Sequence, residues 1–139
     1  MMKPLVWEDA LQALHRAVDS LRIGEGKPYQ QLWSSASDVT MMGAYGGLAS
    51  GYEAVCATIS RAAANYQGWQ PDYQEEPLTD SHDGKFGYVI LRERVTNLND
   101  STLRARRITV LFRREEDQWR IFHHHSDPLH QPTAQAALA

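Results

Sequence analysis

The chain has 139 residues, 42% of them hydrophobic, and a single cysteine, Cys56. That length fits one domain with one core, and a lone cysteine excludes an internal disulfide. Its 14 basic and 17 acidic residues are mixed along the chain and leave a net charge of −3, which excludes the basic footprint of a nucleic-acid or anionic-membrane binder.

Residues 1–3 read as a frayed start, and the sequence carries neither a leader pattern nor a long apolar run, so a cytoplasmic location is the default expectation. From Trp7 to Ile23 the residues Trp7, Ala10, Leu11, Leu14, Ala17, Val18 and Leu21 form one apolar stripe, the spacing of a core-facing helix. Gly24 and Gly26 end it. Pro28 suits a first helical turn, so a short second helix is expected over Lys27 to Ser34. Asp38 to Met42 reads as a short strand, and Gly43-Ala-Tyr-Gly-Gly47 as a break in regular structure. Ser50 with Glu53 three residues on reads as a capping box. It opens a helix to about Tyr66 that buries Val55, Ile59, Ala62, Ala63 and Tyr66.

Pro71 to Thr79 reads as an irregular or edge strand, confined there by Pro71 and Pro77. Turn residues at Asp80 to Gly84 and Asn97 to Ser101 bracket a strand from Lys85 to Thr96. Arg107 to Arg114 and Gln118 to Ser126 then flank an acidic link, Glu115-Glu116-Asp117, as an antiparallel hairpin. In the first of these strands Ile108, Val110 and Phe112 share one face, and Arg107, Thr109, Leu111 and Arg113 the other. Unbroken alternation in the second places Trp119, Ile121, His123 and His125 together and turns His124 the other way. The order α-α-β-α-β-β-β-β indicates an α+β domain with helices on one side of a curved sheet. The core is expected over about 7–129, with residues 130–139 as a tail.

Several stretches resemble a known superfamily. They are Leu32-Trp-Ser34 before Asp38-Val-Thr40, the Gly43-to-Gly51 loop into a helix, Arg107-Ile-Thr-Val-Leu-Phe-Arg-Arg114, and Trp119-Arg-Ile-Phe-His-His-His-Ser-Asp-Pro128. Together they are similar to the cone-shaped fold of nuclear transport factor 2, ketosteroid isomerase and SnoaL-like polyketide cyclases. The resemblance implies a cone-shaped, curved mixed or antiparallel sheet with three helices on its concave face. It also implies a pocket between them for a small organic ligand, and a homodimer through the sheet. Where a ketosteroid isomerase carries its aspartate base, this chain reads Thr40-Met-Met-Gly43, with no acid. Asp38 sits at the strand's start, suited to capping a turn, so steroid isomerisation is not expected.

His123 and His125 are the candidate proton-transfer groups, because imidazole titrates near neutral pH. The alternative reading makes them satisfied structural groups at the end of the sheet. Glu93 falls opposite Arg106 or Arg107, depending on register. If it meets Arg107, that arginine is held to grip a substrate carboxylate or enolate. Tyr45 in the glycine loop is the candidate hydroxyl donor, and Met41, Trp33, Trp69 and Thr109 complete the candidate lining, with plain core as the alternative for the apolar ones. A His-x-His pair on a strand can also hold a metal. Its third ligand would have to be Glu93, Asp127 or His82, a weak pattern, and no metal or cofactor is expected. Two functions stay open. One is a small-molecule-binding protein of isomerase or cyclase type in which a pocket histidine moves a proton. The other is a non-catalytic dimeric ligand-binding or protein-assembly module. Neither involves nucleic acid or membrane.

Overall fold

A computed structural model describes residues 6–44 and 46–129. Helix α1 (Trp7–Arg22) buries Ala10, Leu14, Ala17, Val18 and Leu21, as its stripe requires, and adds Arg22 at its end. Helix α2 (Lys27–Gln30) is a single turn with Pro28 in it. It is shorter than expected, and the chain beyond it runs out to Trp33, which bridges to Ile121. Strands β1 (Thr40–Gly43) and β2 (Gly46–Ser50) form a hairpin where a plain loop was expected for the glycines. Gly46 and Gly47 adopt φ of 101° and 85°, conformations that side chains resist.

Helix α3 (Tyr52–Ala64) starts later than the capping box predicts. Ser50 is still paired to Thr40 in the hairpin, and Gly51 turns the chain into the helix with φ of 90° and no side-chain cap. Four long strands follow: β3 (Pro71–His82), β4 (Phe86–Asn97), β5 (Leu103–Glu115) and β6 (Gln118–Pro128). The sheet order is β2-β1-β6-β5-β4-β3. Its neighbours pair antiparallel except β1 and β6, which run parallel. This is a curved α+β cone with the helices on the concave face. Strand β3 is an edge, as its prolines require, with Leu78 bulged out between Pro77 and Thr79.

The core lies between the helices and the inner faces of β4, β5 and β6. Leu14, Val18, Leu21, Val55 and Ile59 meet Leu91, Ile108, Val110, Phe112, Trp119 and Ile121 there. One end is closed by Trp7, whose ring stacks edge-on against Phe112 and Trp119 and lies so close over Gly87 that an added Cβ would sit 2.5 Å from it. No described helix is long and apolar enough to cross a membrane.

Candidate functional site

Two breaks in simple reading organise the interior. The first is a bulge in β6. Ile121 pairs with Phe112 and His123 with Leu111, so Phe122 has no partner across the ladder. One extra residue reverses the phase of everything after it. Trp119 and Ile121 point into the core, but so does His124, only 4% exposed, and then Ser126. His123 and His125 therefore lie on the outer face with Thr109, contrary to the expectation from unbroken alternation. The second is the register of β4 on β5. Glu93 pairs with Arg106, and Arg107 pairs with Arg92. Arg107 is consequently on the outside, in a two-pronged pair with Asp127 at 3.0 and 2.5 Å.

Inside, Glu93 and Arg22 are each 2% exposed and Arg106 is 8% exposed. Arg22 donates Nε to Glu93 Oε2 at 3.1 Å and brings Nη2 against Oε1. Arg106 Nε stands 3.2 Å from the same Oε1, a charge contact rather than an aligned hydrogen bond. The Tyr73 hydroxyl donates to Glu93 Oε2 at 3.2 Å. The Tyr66 hydroxyl oxygen accepts from both cations, Arg22 Nη1 at 3.3 Å and Arg106 Nη2 at 2.9 Å. Tyr66 is backed by Trp69, half-buried at a centroid distance of 4.9 Å, and the Arg104 guanidinium lies over both rings. Opposite Glu93 on β3, Glu75 is 2.7 Å from His15 Nδ1, which reaches it from α1.

Electrostatics follow from this packing. Burial is the largest single influence on Arg22 and lowers its pKa, but the Glu93 carboxylate, with Tyr66 and Tyr73 adding to it, turns the net shift upward. Burial raises Tyr73, with the Glu93 and Glu75 carboxylates adding to it, and burial also raises Glu75. His124 moves the opposite way. Burial, with Arg22 and Arg106 nearby, drives its pKa down to about 3, so its ring is neutral at ordinary pH. Its Nδ1 is 2.6 Å from the Tyr29 hydroxyl, whose own pKa is raised by burial. Trp33 stacks edge-on against Tyr29, and its buried Nε1–H has no hydrogen-bond acceptor among the described residues, a donor left unfilled there. On β1, Met41 pairs with His124 on the inner face. Met41 also walls a cleft of about 320 Å³ between the β1–β2 hairpin and α3, lined further by Leu48, Ala54, Ala57, Thr58 and Arg61.

Of the residues singled out from sequence, Glu93, Met41, Trp33 and Trp69 lie on or beside this interior. His123, His125, Arg107 and Thr109 share the outer face. Tyr45 lies outside the described residues. The alternative third metal ligands are dispersed: Glu93 is inside, Asp127 holds Arg107, and His82 is packed against Trp7 and Trp119. Sequence reading missed Arg22, Tyr73 and the Tyr29–His124 pair as site groups, and it weighed Tyr66 only as one of several residues that line a cavity or fill the core and Arg106 only as one of two partners for Glu93. Two of these were visible. Leu14, Val18 and Arg22 fall four apart on one helix face, and Arg106 keeps the alternation of Ile108 and Val110.

The sequence matches the family described as the SnoaL-like domain over residues 8–129. No curated protein matches it. Among solved structures, an NTF2-like protein of unknown function from Pseudomonas putida superposes with a TM-score of 0.75 at 18% identity, covering 92% of this chain and 89% of that one. A protein from Thiobacillus denitrificans, provisionally assigned as a calcium/calmodulin-dependent protein kinase type II association domain, gives 0.74 at 22% identity over 93% and 98%. A ketosteroid isomerase-like protein from Erwinia carotovora gives 0.69 at 13% identity over 88% and 95%. At these identities the likeness is one of fold.

Proposed function

The chain belongs to the SnoaL-like domain family, and on that premise we propose that it is a non-catalytic binding protein whose cone takes a small organic anion. The observation that carries this reading is the Tyr66 oxygen, a neutral acceptor placed between two buried guanidiniums. An anionic oxygen at that position gains charge-assisted hydrogen bonds from both, which are roughly twice as strong as neutral ones. A carboxylate or enolate is the ligand group of matching shape. Glu93 then serves to aim the two arginines, and the unfilled Trp33 Nε1–H offers a further donor for the ligand's uncharged part.

The same groups argue against the proton-transfer alternative. A ring with a pKa near 3 is a weak base at neutral pH. His123 and His125 stand on the opposite side of the sheet from the buried cluster. The outer face also supports the homodimer that the fold resemblance implies, since Phe86, Tyr88 and Met42 are exposed on it beside Leu111 and Phe122.

Thermal unfolding with a panel of carboxylates, such as glutarate and benzoate, against the matching alcohols tests the proposal. At a hundred times its Kd an acid should add about 2.7 kcal/mol. Arg106→Met, checked for folding by circular dichroism, should abolish the effect, while Tyr66→Phe should keep it. If acids and alcohols shift the transition equally, the anion reading fails. Light scattering that returns a single-chain mass at working concentration would end the dimer reading.

A further inference from the structure

The outer face of β6 holds a second cluster that the interior does not use. His123 and His125 stand two residues apart on one side of the strand, with ring centroids 6.5 Å apart. His123 is fixed in place, because its Nδ1 is 2.7 Å from Thr40 Oγ1 on the neighbouring strand. That is the only hydrogen bond to its ring among the described residues, so Nε2 is the nitrogen left for another partner. Met42 is paired with His125 in the β1–β6 ladder and shares its face.

We propose that His123 and His125 chelate one divalent transition-metal ion on the outer face of the sheet, with Thr40 orienting the first ring and the Met42 thioether beside the second. Residues i and i+2 on a strand present their side chains to the same side, and neutral imidazole is the ligand of choice for copper, nickel and zinc. A hydrogen bond at one ring nitrogen that sets the other free is the usual support of a metal-bound histidine. The surroundings do not oppose a cation. Half-burial and the neighbouring His125 hold His123 below its ordinary pKa, which keeps its lone pair available at neutral pH. Arg107 is neutralised by Asp127, and Arg113 is held by Asp38 and Glu115. No group of three or more histidine, cysteine, aspartate or glutamate side chains converges among the described residues. The ion therefore keeps open positions, for water or for the same pair from a second copy. With two nitrogen donors and a soft sulfur nearby, Cu²⁺ should bind ahead of Ni²⁺ and Zn²⁺. The site stands independently of the interior reading, since it shares no residue with it.

Titration of the full, untagged chain with Cu²⁺ and then Ni²⁺, after chelator treatment and dialysis, tests this by calorimetry. Saturable binding is expected at one ion per chain, or one per two chains if a second copy completes the site. His123→Gln and His125→Gln should each weaken it at least tenfold, and Thr40→Val several-fold, while His15→Gln and His82→Gln leave it unchanged. Circular dichroism of each variant separates lost binding from lost folding. Non-saturable uptake, or equal binding by the His123→Gln, His125→Gln double variant, would overturn the proposal.

Discussion

His124 and its two neighbours are three consecutive imidazoles in opposite environments. The middle ring is sealed against Tyr29 and made neutral by burial and two guanidiniums, whereas the flanking rings share the outer face with Thr109 and the Arg107–Asp127 pair. The same contrast runs through the arginines. Arg106 and Arg107 are adjacent in sequence, yet one is locked to a buried carboxylate and the other pairs in water. Identity of side chain therefore says little here, and the side of the sheet says nearly everything, because desolvation changes the energy of a charge by far more than its neighbours in solution do.

The largest effect should come from breaking the inside. Glu93→Gln leaves Arg22 and Arg106 facing one another without their shared carboxylate, and removing one partner from such a buried network costs about 3–5 kcal/mol. Chemical denaturation should register that loss, and thermal unfolding should fall by roughly 10 °C or more. A change within about 1 kcal/mol would mean that water reaches the cluster.

Next comes acid. The folded pKa of His124, about 3, lies below its ordinary value of 6.5. The unfolded chain therefore takes up a proton that the folded one refuses, and stability tied to this ring is complete above about pH 6.5 and lost as pH falls towards 3. The slope should approach about 1.4 kcal/mol per pH unit within that window. Denaturation midpoints measured from pH 7 to 4 should be flatter for a Tyr29→Phe, His124→Phe double variant. Parallel curves for the two proteins would place His124 in contact with solvent.

The smallest effect belongs outside. Arg107→Ala removes an exposed ion pair, with a stability change within about 1 kcal/mol and no change in carboxylate binding. If Arg107→Ala abolished ligand-induced stabilisation, the two faces would have been assigned the wrong way round.

Much of the fold was legible beforehand. The seven-residue apolar stripe of α1, the edge character of β3 and the alternation in β5 each follow from local periodicity, and the structure keeps all three. The glycine stretch was misread, because Gly46 and Gly47 can either break a chain or turn a hairpin, and only pairing with β1 selects the second. The site was half legible. Glu93 was identified from its place opposite an arginine, but which arginine depended on register. Arg22 was overlooked because a charged residue ending an apolar stripe reads as the helix's last exposed turn until a carboxylate is found 71 positions away.

By itself, then, the amino-acid order determined where the long helices and most of the strands run, how the apolar side of each is spaced and what titratable groups lie near the chain's end. Only the assembled sheet decided which imidazole and which guanidinium look inward. That decision rests on a single unpaired residue, Phe122, and on the alignment of β4 with β5. Side chains on a strand repeat every two residues, so one added position exchanges inside for outside, and the addition is fixed by the partner strand rather than by anything in the local sequence.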